Sequence, residues 1–228
     1  IDYYVTTGDT FFDIMERYAE VTGHAPMLPE WAAGFWQSKN RYENREELLS
    51  VAREYKKRNI PVSVIVIDYF YWNMMGNFDW NDEKWPDPEG MIQELNKMGM
   101  EVLLSVWPTI NMKSTNCNEM LDNAILVSTN HGTVPLTRYV DGKALEPAAL
   151  HHYDPTNPEA RAYFWNKVKE NYFDKGIKLF WLDACEPDTV GRTYDQLHFD
   201  EGPGTEVGNL YPLRHAQTFY DGMREAGT

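Results

Sequence analysis

The sequence predicts an α/β protein in which parallel strands alternate with helices, and two observations indicate this fold class. Short apolar runs rich in β-branched residues alternate with longer amphipathic segments between about residues 32 and 182. The apolar runs also lack the polar-apolar alternation of a strand that is half exposed to water, which is typical of strands buried on both faces. Such a pattern favours parallel strands joined by crossover helices.

The first 28 residues are expected to form a separate unit. Residues 1–6 alternate weakly and are predicted to be a strand that arrives from an upstream domain. A helical pattern of apolar residues follows, with Asp9 in the N-cap position and Gly23 at the end. We therefore place a connecting helix before the main α/β unit.

Four βα units are predicted in the rest of the chain. The second strand is entered through Pro61, and Gly99 and Gly176 end the helices that precede the last two strands. In chain order we predict a strand at 32–36, a helix at 46–57, a strand at 62–67, a helix at 88–98, a strand at 101–106, a helix at 158–174 and a strand at 178–182.

Residues 111–154 interrupt this alternation. The segment is much longer than an ordinary strand-to-helix connection and is rich in Asn, Thr and Gly. We interpret it as an insertion after the third strand. Strand-to-helix loops lie at the carboxyl ends of parallel strands, where functional sites collect.

Composition and charge exclude several classes of function. Thirty-five acidic against 21 basic residues give a formal charge of -14, so we expect no nucleic acid partner. We expect no membrane partner either, because no apolar run approaches the roughly 20 residues of a bilayer span. No signal peptide is seen in the chain, and the choice between a cytoplasmic and a secreted protein stays open. The two cysteines have neither disulfide-framework nor metal-ligand spacing.

The predicted strands end in aromatic and acidic residues. In a barrel these ends surround one pocket, so the topology predicts an aromatic pocket with at least two carboxylates. The residues are Trp36 and Gln37 after the first strand, Asp68 and Tyr69 after the second, Trp107 after the third, and Asp183 and Glu186 after the fourth.

An acidic, aromatic pocket is compatible with three chemistries, and the residue pattern leaves all three open. Paired carboxylates can cleave a glycosidic bond, one as nucleophile and one as proton donor. Asp68, Asp183 and Glu186 could instead hold Mg²⁺ or Ca²⁺ through oxygen ligands. The pocket could also bind sugar hydroxyls without catalysis, since Trp and Tyr faces suit the apolar faces of sugar rings.

Other residue types give weaker signals. His151 and His152 are expected on opposite faces of an extended segment, which favours surface or hydroxyl contacts over metal ligation. Cys185 is expected to be a packing residue, because a thiolate there would be repelled by Asp183 and Glu186. The chain has no Gly-x-Ser-x-Gly elbow and no phosphate-binding or dinucleotide-binding glycine pattern.

Several recognisable motifs are spread over nearly the whole chain, and the stretch FWLDACEP at 180–187 covers the end of the fourth predicted strand. This stretch is similar to the Trp-x-Asp-x-x-Glu motif that ends the fourth barrel strand in glycoside hydrolase family 31, and the set of motifs resembles that family. The other matching stretches are GFWQSKNRY at 34–42, IPV at 60–62, IDYFYW at 67–72, WPDPEGM at 85–91, VWP at 106–108 and YDPTNP at 153–158. The first and third of these, with YPLRH at 211–215, look most like the α-xylosidase branch.

The resemblance implies a (β/α)8 TIM barrel and a retaining α-glycosidase that acts through a covalent glycosyl-enzyme. It implies that Asp183 is the nucleophile, that Glu186 orients it or meets a substrate hydroxyl, and that Asp68 binds the hydroxyls of the sugar at the cleaved position. The substrate-binding aromatic residues would be Trp107, Trp36, Tyr69 and Trp181. The implied substrate is an oligosaccharide with an α-linked sugar at its non-reducing end, xylose first and glucose second, and no cofactor or metal is implied.

The chain supplies about four βα units, so we expect only the N-terminal half of the barrel, with an insertion after the third strand at about 111–154. Residues 1–28 would be the end of an upstream β-sandwich domain with its connecting helix, and residues 29–228 the barrel segment. The resemblance places the general acid/base residue beyond Thr228. The remaining carboxylates after the fourth strand are expected to be loop residues, namely Asp188, Asp195, Asp200 and Glu201.

Three alternatives to an α-xylosidase stay open. One is an α-glucosidase or α-transglucosylase of the same family. The second, from a different class, is a noncatalytic sugar-binding protein that keeps the pocket. The third is a metal-dependent barrel enzyme. Oligomeric state is not predicted.

Overall fold

The structure is a computed structural model, and it describes residues 3–142, 146–186 and 194–227. The chain divides into two compact units, Ile1–Ala33 and Gly34–Thr228. In chain order the elements are α1 (Phe11–Thr22), β1 (Trp36–Gln37), α2 (Arg45–Lys57), β2 (Val64–Ile67), α3 (Pro88–Lys97), β3 (Glu101–Val106), β4 (Thr109–Asn111), α4 (Cys117–Asp122), β5 (Ser128–Thr129), β6 (Thr137–Asp141), β7 (Glu146–His152), α5 (Pro158–Val168), β8 (Leu179–Leu182), β9 (Leu197–Phe199), β10 (Gly202–Pro203), α6 (Gly204–Val207) and α7 (Tyr211–Glu225).

The first unit contains the predicted connecting helix. Thr10, not Asp9, caps α1: its hydroxyl accepts the Asp13 N–H, and the Asp13 carboxylate accepts the Thr10 N–H. The strand predicted at 1–6 is wrong for the residues that the structure describes there, because Tyr3–Thr6 are irregular. The backbone N–H and C=O groups of a strand form hydrogen bonds to a neighbouring strand, and no strand of the described residues pairs with this segment.

The second unit is built on a parallel sheet with the strand order β1-β2-β3-β8. Val66 pairs with Leu103, and Leu104 pairs with Phe180, so the last three strands run in register to a common carboxyl edge. The described residues thus hold four parallel strands that do not close into a barrel.

Most of the predicted elements are found within one or two residues of their expected ends. The first strand is an exception, since β1 is only Trp36–Gln37 and is preceded by a 3-10 turn at Glu30–Ala33. The Pro29 carbonyl accepts the Ala32 N–H at 3.0 Å, which begins that turn, and the two alanines at 32 and 33 therefore lie in the turn and not in the strand. The predicted helix at 158–174 is α5 followed by a π-helical turn at Lys169–Phe173.

The two faces of the parallel sheet have different surroundings. Ile65, Ile67 and Leu104 point to the face that packs on the helices and belong to the main hydrophobic core. Because side chains alternate along a strand, Val66 and Ser105 point to the opposite face, which would be the interior of a barrel. Both are buried, but neither belongs to that core.

The predicted insertion forms a small antiparallel sheet, in the order β4-β7-β6. Thr109 pairs with His152 and Thr137 pairs with Leu150, so β7 is central. A second small sheet, in the order β10-β9-β5, joins the insertion to the segment after β8. The first strand of the insertion, β4, begins at Thr109, and β3 ends at Val106. The insertion therefore starts directly after the carboxyl end of β3.

We find no helix in the described residues that is both long enough and apolar enough to cross a bilayer.

Candidate active site

Asp68 and Asp183 follow the ends of β2 and β8, with β3 and Trp107 between them. Val106 pairs with Leu182, and the Asp183 N–H donates to the Val106 carbonyl at 3.3 Å. Trp107 and Asp183 each follow directly after a member of this pair, so they lie side by side at the ends of β3 and β8. The parallel register brings both carboxylates to one edge of the sheet, as the parallel topology predicted.

A cleft of about 360 Å³ opens at this edge. Its lining comes from the strand ends and from the inserted sheet, namely Tyr69, Trp107, Asp183, Ala184 and Glu186 together with Thr109, Thr137, Tyr139, Leu150 and His152. Four of the predicted site residues thus line one cavity, which is large enough to hold a ligand of the size of a monosaccharide.

The backbone turns sharply after each of the two aspartates. Ala184, directly after Asp183, has a φ of 53°, and Phe70, two residues after Asp68, has a φ of 65°. Residues other than glycine rarely adopt this left-handed region, and strained conformations of this kind cluster at functional sites. The turn at Ala184 directs the chain off the strand and brings Asp183 and Glu186 to the same cavity.

Asp68 is buried, and its pKa is raised. Burial is the main cause, because it disfavours the ionised form, and the negative charge of Asp183 adds to the shift. The Tyr69 N–H, which donates to Asp68 Oδ1 at 2.8 Å, opposes it. The Ser105 hydroxyl opposes it least. Asp68 itself does not line the cleft.

An aromatic wall borders the carboxylates. The Trp107 ring lies 5.6 Å from that of Tyr69, 5.7 Å from that of Tyr139 and 6.0 Å from that of Trp72, measured between ring centroids. The Tyr69 hydroxyl donates to Asn40 Oδ1 at 2.7 Å, which ties the wall to the loop after β1. Trp107 Nε1 is buried and has no hydrogen-bond partner among the described residues.

Trp181 and Trp36 do not line the cleft. Trp181 pairs with Ser105 and shares a face of β8 with Asp183, so it lies next to the site on the inner face of the sheet. Trp36 pairs with Val64, four residues before Asp68, which corresponds to about 13 Å along the strand at about 3.3 Å per residue. Both rings are partly exposed, at 40% and 39%.

The inserted sheet contributes site residues that the sequence analysis did not select. Tyr139 and Thr137 come from β6, and His152 comes from β7. The strand-forming residues Thr137, Tyr139 and Val140 were the available signal, but the pairing of β6 with β7 that brings Tyr139 to Trp107 is not visible in the sequence.

The two adjacent histidines have different surroundings. His151 Nδ1 lies 3.0 Å from the Pro135 carbonyl, whereas His152 lines the cleft. Burial, with a smaller contribution from His151, lowers the pKa of His152 to about 4, so its imidazole is neutral at pH 7. Within the described residues no three His, Cys, Asp or Glu side chains are grouped as metal ligands, and Asp68, Asp183 and Glu186 do not form such a group.

The other carboxylates after β8 lie away from the cleft. Glu201 forms an ion pair with Arg214 at 2.7 Å, and Asp195 belongs to a 3-10 turn. The Asp200 backbone N–H donates to Asp154. None of these three lines the cleft, and Asp188 lies outside the described residues. Cys185 is half-buried, and burial together with the charges of Glu186 and Asp183 raises the pKa of its thiol.

Comparison with known proteins gives a match for almost the whole chain. Residues 25–228 match the model of the family described as "Glycosyl hydrolases family 31 TIM-barrel domain". A protein of Pseudescherichia vulneris called "Uncharacterized family 31 glucosidase ORF2" is 42% identical over 227 residues, which is 100% of this chain and 42% of that protein. An "Alpha-xylosidase" of Saccharolobus solfataricus is 35% identical over 231 residues, which is 98% of this chain and 29% of that protein.

Solved structures agree with this match. The family 31 α-xylosidase from a soil metagenome, complexed with xylose, superposes with a TM-score of 0.90 and 44% identity, covering 98% of this chain and 32% of that one. The family 31 α-xylosidase from Xanthomonas citri gives a TM-score of 0.85 and 32% identity, covering 96% of this chain and 24% of that one. The chain thus spans less than half the length of these relatives.

Proposed function

The chain belongs to glycoside hydrolase family 31, and on that premise we propose that the complete protein is a retaining α-glycosidase with Asp183 as its nucleophile. The observation that carries the proposal is the position of Asp183. It follows a parallel strand at the carboxyl edge of the sheet, lines a cleft with Glu186 and is followed by a left-handed residue that directs the chain off the strand.

The proposed reaction has two displacements. In the first, an Asp183 carboxylate oxygen forms a bond to the anomeric carbon while the bond from that carbon to the leaving oxygen breaks, and a general acid protonates the leaving oxygen. In the second, a water molecule attacks the anomeric carbon and displaces Asp183. The residue that was the general acid in the first step now acts as base and takes the proton of that water. We assign no residue of this chain as that acid and place it beyond Thr228.

Asp68 and Glu186 are proposed to support the nucleophile. Asp68 is buried after β2, which is separated from the strand before Asp183 by β3, and would bind the hydroxyls of the sugar at the cleaved position. Glu186 lines the same cleft as Asp183 and would meet a substrate hydroxyl or orient the nucleophile. Trp107 lines the cleft beside them, and its ring would pack against the sugar.

We propose xylose as the terminal sugar. Two solved relatives that cover nearly all of this chain, at 44% and 32% identity, are α-xylosidases by title. Xylose lacks the C6 hydroxymethyl of glucose, and the Tyr69 and Trp107 rings, 5.6 Å apart at the cleft, supply bulk that would exclude that group. Trp36 and Trp181 remain proposed contacts on the inner face of the sheet.

An α-glucosidase or α-transglucosylase is the second candidate. The relative with 42% identity carries the name glucosidase, and "Alpha-glucosidase 2" of Bacillus thermoamyloliquefaciens is 29% identical over 99% of this chain. A noncatalytic sugar-binding protein has less support, because binding sugar hydroxyls does not require a carboxylate at both Asp183 and Glu186.

We also propose that residues 1–28 are the end of an upstream β-sandwich domain and its connecting helix, before the barrel segment at 29–228. In the first unit, α1 buries none of its residues, and the side chains of Phe11 and Phe12 are exposed. An apolar helix face of this kind is typical of a segment that packs on another domain.

The function is tested by labelling the nucleophile. A 5-fluoroxylosyl fluoride, applied to the complete protein, should inactivate it with time and leave a mass increase on the peptide that contains Asp183. The Asp183→Ala variant should fold, show almost no turnover and take up no label. Labelling of Asp68 or Glu186 instead would contradict the assignment, and turnover without any trapped intermediate would contradict the retaining mechanism.

A further inference from the structure

Asp141, at the end of β6, joins three segments of the chain through its carboxylate. It is buried, with 8% of its surface exposed. Oδ1 accepts the Trp72 indole N–H at 3.0 Å, and Oδ2 accepts the Met75 N–H at 2.9 Å and the Asn111 side-chain N–H at 2.7 Å. The donors belong to the loop after β2 and to β4, so one carboxylate joins two strands of the inserted sheet, β4 and β6, to the loop after β2.

The bonds to Asp141 are expected to be strong and directional. Hydrogen bonds to an ionised carboxylate are stronger than those between neutral groups, and a buried carboxylate without donors is costly. Three N–H groups on its two oxygens compensate for its burial. The carboxylate therefore holds β6 at a defined position relative to the loop after β2.

Two structural links lead from Asp141 to the aromatic wall of the cleft. Tyr139 lies two residues earlier on β6, so it shares a face of the strand with Asp141, and its ring lies 5.7 Å from that of Trp107. Trp72, held through its indole N–H, places its ring 6.0 Å from Trp107 on another side. Tyr139 is 47% exposed, so packing alone does little to fix it.

We propose that Asp141 is a positioning residue, which fixes the inserted sheet over the cleft so that Tyr139 and Trp107 form a rigid wall against the bound glycoside. The inference rests on the proposed glycosidase function. Asp141 lies outside the cleft lining and takes no part in bond making or breaking. Its loss should weaken binding of the substrate more than it slows the chemical step.

Asp141→Asn, made in the complete protein, is the main test. The new amide keeps one acceptor oxygen but sets an NH₂ group against at least one of the three donors, so at least one link to the wall is lost. With a p-nitrophenyl α-glycoside as substrate, KM should rise about tenfold while kcat changes less than about threefold. The pH profile of kcat should be unchanged.

Asp79→Asn is the matched control. Asp79 lies in the same loop and also accepts three N–H groups, from the Asn73 backbone, the Asn73 side chain and the Asn77 side chain. All three donors lie within that loop, and none is in the inserted sheet. This variant should leave KM unchanged even where it lowers the melting temperature.

Trp72→Phe separates the two links, because it keeps a ring and removes the indole donor. Its KM should rise less than that of Asp141→Asn, and the double variant should show less than the sum of the two effects. Full additivity would mean that Trp72 does not act through Asp141.

Hydrogen exchange gives a readout that does not depend on turnover. Amides of β6 should exchange faster in Asp141→Asn than in the wild type and in Asp79→Asn. Unchanged β6 exchange, or an unchanged KM in an active protein, would overturn the inference, as would an equal KM rise in Asp79→Asn. A wild type that cleaves no aryl α-glycoside would instead contradict the proposed function, and the exchange measurement would still decide the role of Asp141.

Discussion

Asp68 and Asp183 lie at the carboxyl edge of the parallel sheet, after two strands that are separated by β3. Burial is the main cause of the raised pKa of the Asp68 carboxyl, and the negative charge of Asp183 raises it further. The two carboxylates are therefore electrostatically coupled, with β3 and Trp107 between them.

The raised pKa of Asp68 predicts a pH-dependent effect on stability. A carboxyl whose pKa is higher in the fold than in the unfolded chain stabilises the fold while it is protonated, and this contribution is lost as the pH rises through the raised pKa. Asp68→Asn should therefore melt above the wild type at pH 7, and its advantage should shrink toward about pH 3, below the ordinary carboxyl pKa. Calorimetry of both proteins across this range measures the difference.

The Asp183→Asn background provides the control for that experiment. Without the charge of Asp183, the advantage of Asp68→Asn at pH 7 should become smaller but not vanish, because burial is the larger cause. If the melting temperature of Asp68→Asn exceeded that of the wild type by more as the pH falls, the result would contradict a raised pKa of Asp68.

Sugar selectivity is predicted to depend on Tyr69. Its ring borders the cleft beside Trp107, so Tyr69→Ala should open space for a C6 hydroxymethyl. The wild type should have the higher kcat/KM on p-nitrophenyl α-xyloside, and the variant should shift the xyloside-to-glucoside ratio toward the glucoside by about tenfold. Steady-state kinetics on the two substrates gives the ratio.

Trp36→Ala is the comparison variant for selectivity. The strand register places Trp36 about 13 Å below Asp68 along the sheet, so we expect a smaller change in the ratio than Tyr69→Ala produces. An equal shift in both variants would mean that β1 supplies the excluding bulk. A wild type that prefers the glucoside would overturn the choice of xylose.

Asp154 is predicted to be a structural residue. It is buried, Oδ1 accepts the Thr156 N–H at 2.9 Å and the Thr156 hydroxyl at 2.7 Å, and Oδ2 accepts the Asp200 N–H at 2.7 Å. Asp154→Ala would leave these donors unpaired, so we expect a loss of about 2 kcal/mol in the free energy of unfolding. Denaturant unfolding of the complete protein measures it.

Asp200→Asn is the matched control for Asp154→Ala. It keeps the backbone N–H that donates to Asp154 and changes only the Asp200 side chain. We expect no loss of stability in this variant, so a similar loss in both would show that the side chain of Asp200, and not its backbone donor, is what matters.

The local elements could be predicted where the signals in the sequence are local. β3 was predicted residue for residue because Gly99 ends the preceding helix and a short apolar run follows it. The first strand was misplaced, because the 3-10 turn after Pro29 uses the same small apolar residues that a buried strand would use. The N-cap of α1 was misplaced by one residue, because Asp9 and Thr10 are both good caps and only Thr10 completes a capping box with Asp13.

The fold class and the family were predicted correctly, and the matched family model is a TIM-barrel domain. The part of the cleft that was not predicted comes from pairing over long sequence distances. Tyr139 reaches Trp107 only because β6 pairs with β7 and β7 pairs with β4. No periodicity within residues 111–154 encodes that arrangement, whereas Asp183 could be found because it directly follows a strand and lies in a recognisable motif.

The last prediction concerns these 228 residues expressed alone, which should show no glycosidase turnover and should not form a stable monomer. In the described residues β1 and β8 are the outer strands of the parallel sheet, and the partly exposed Trp36 and Trp181 lie on its inner face. Unpaired edges of a buried sheet promote association with other chains, and a barrel segment lacks the strands that would fill its interior. We also expect the chemistry to be incomplete, since general acid catalysis contributes about 10²- to 10⁴-fold and we assign that role to no residue of this chain. Size-exclusion chromatography, thermal melting and an aryl α-xyloside assay test the prediction together. A monomer that melts cooperatively and hydrolyses the xyloside would place the acid within this chain, whereas activity that returns only on co-expression with the rest of the catalytic domain would support a nucleophile-bearing half-barrel.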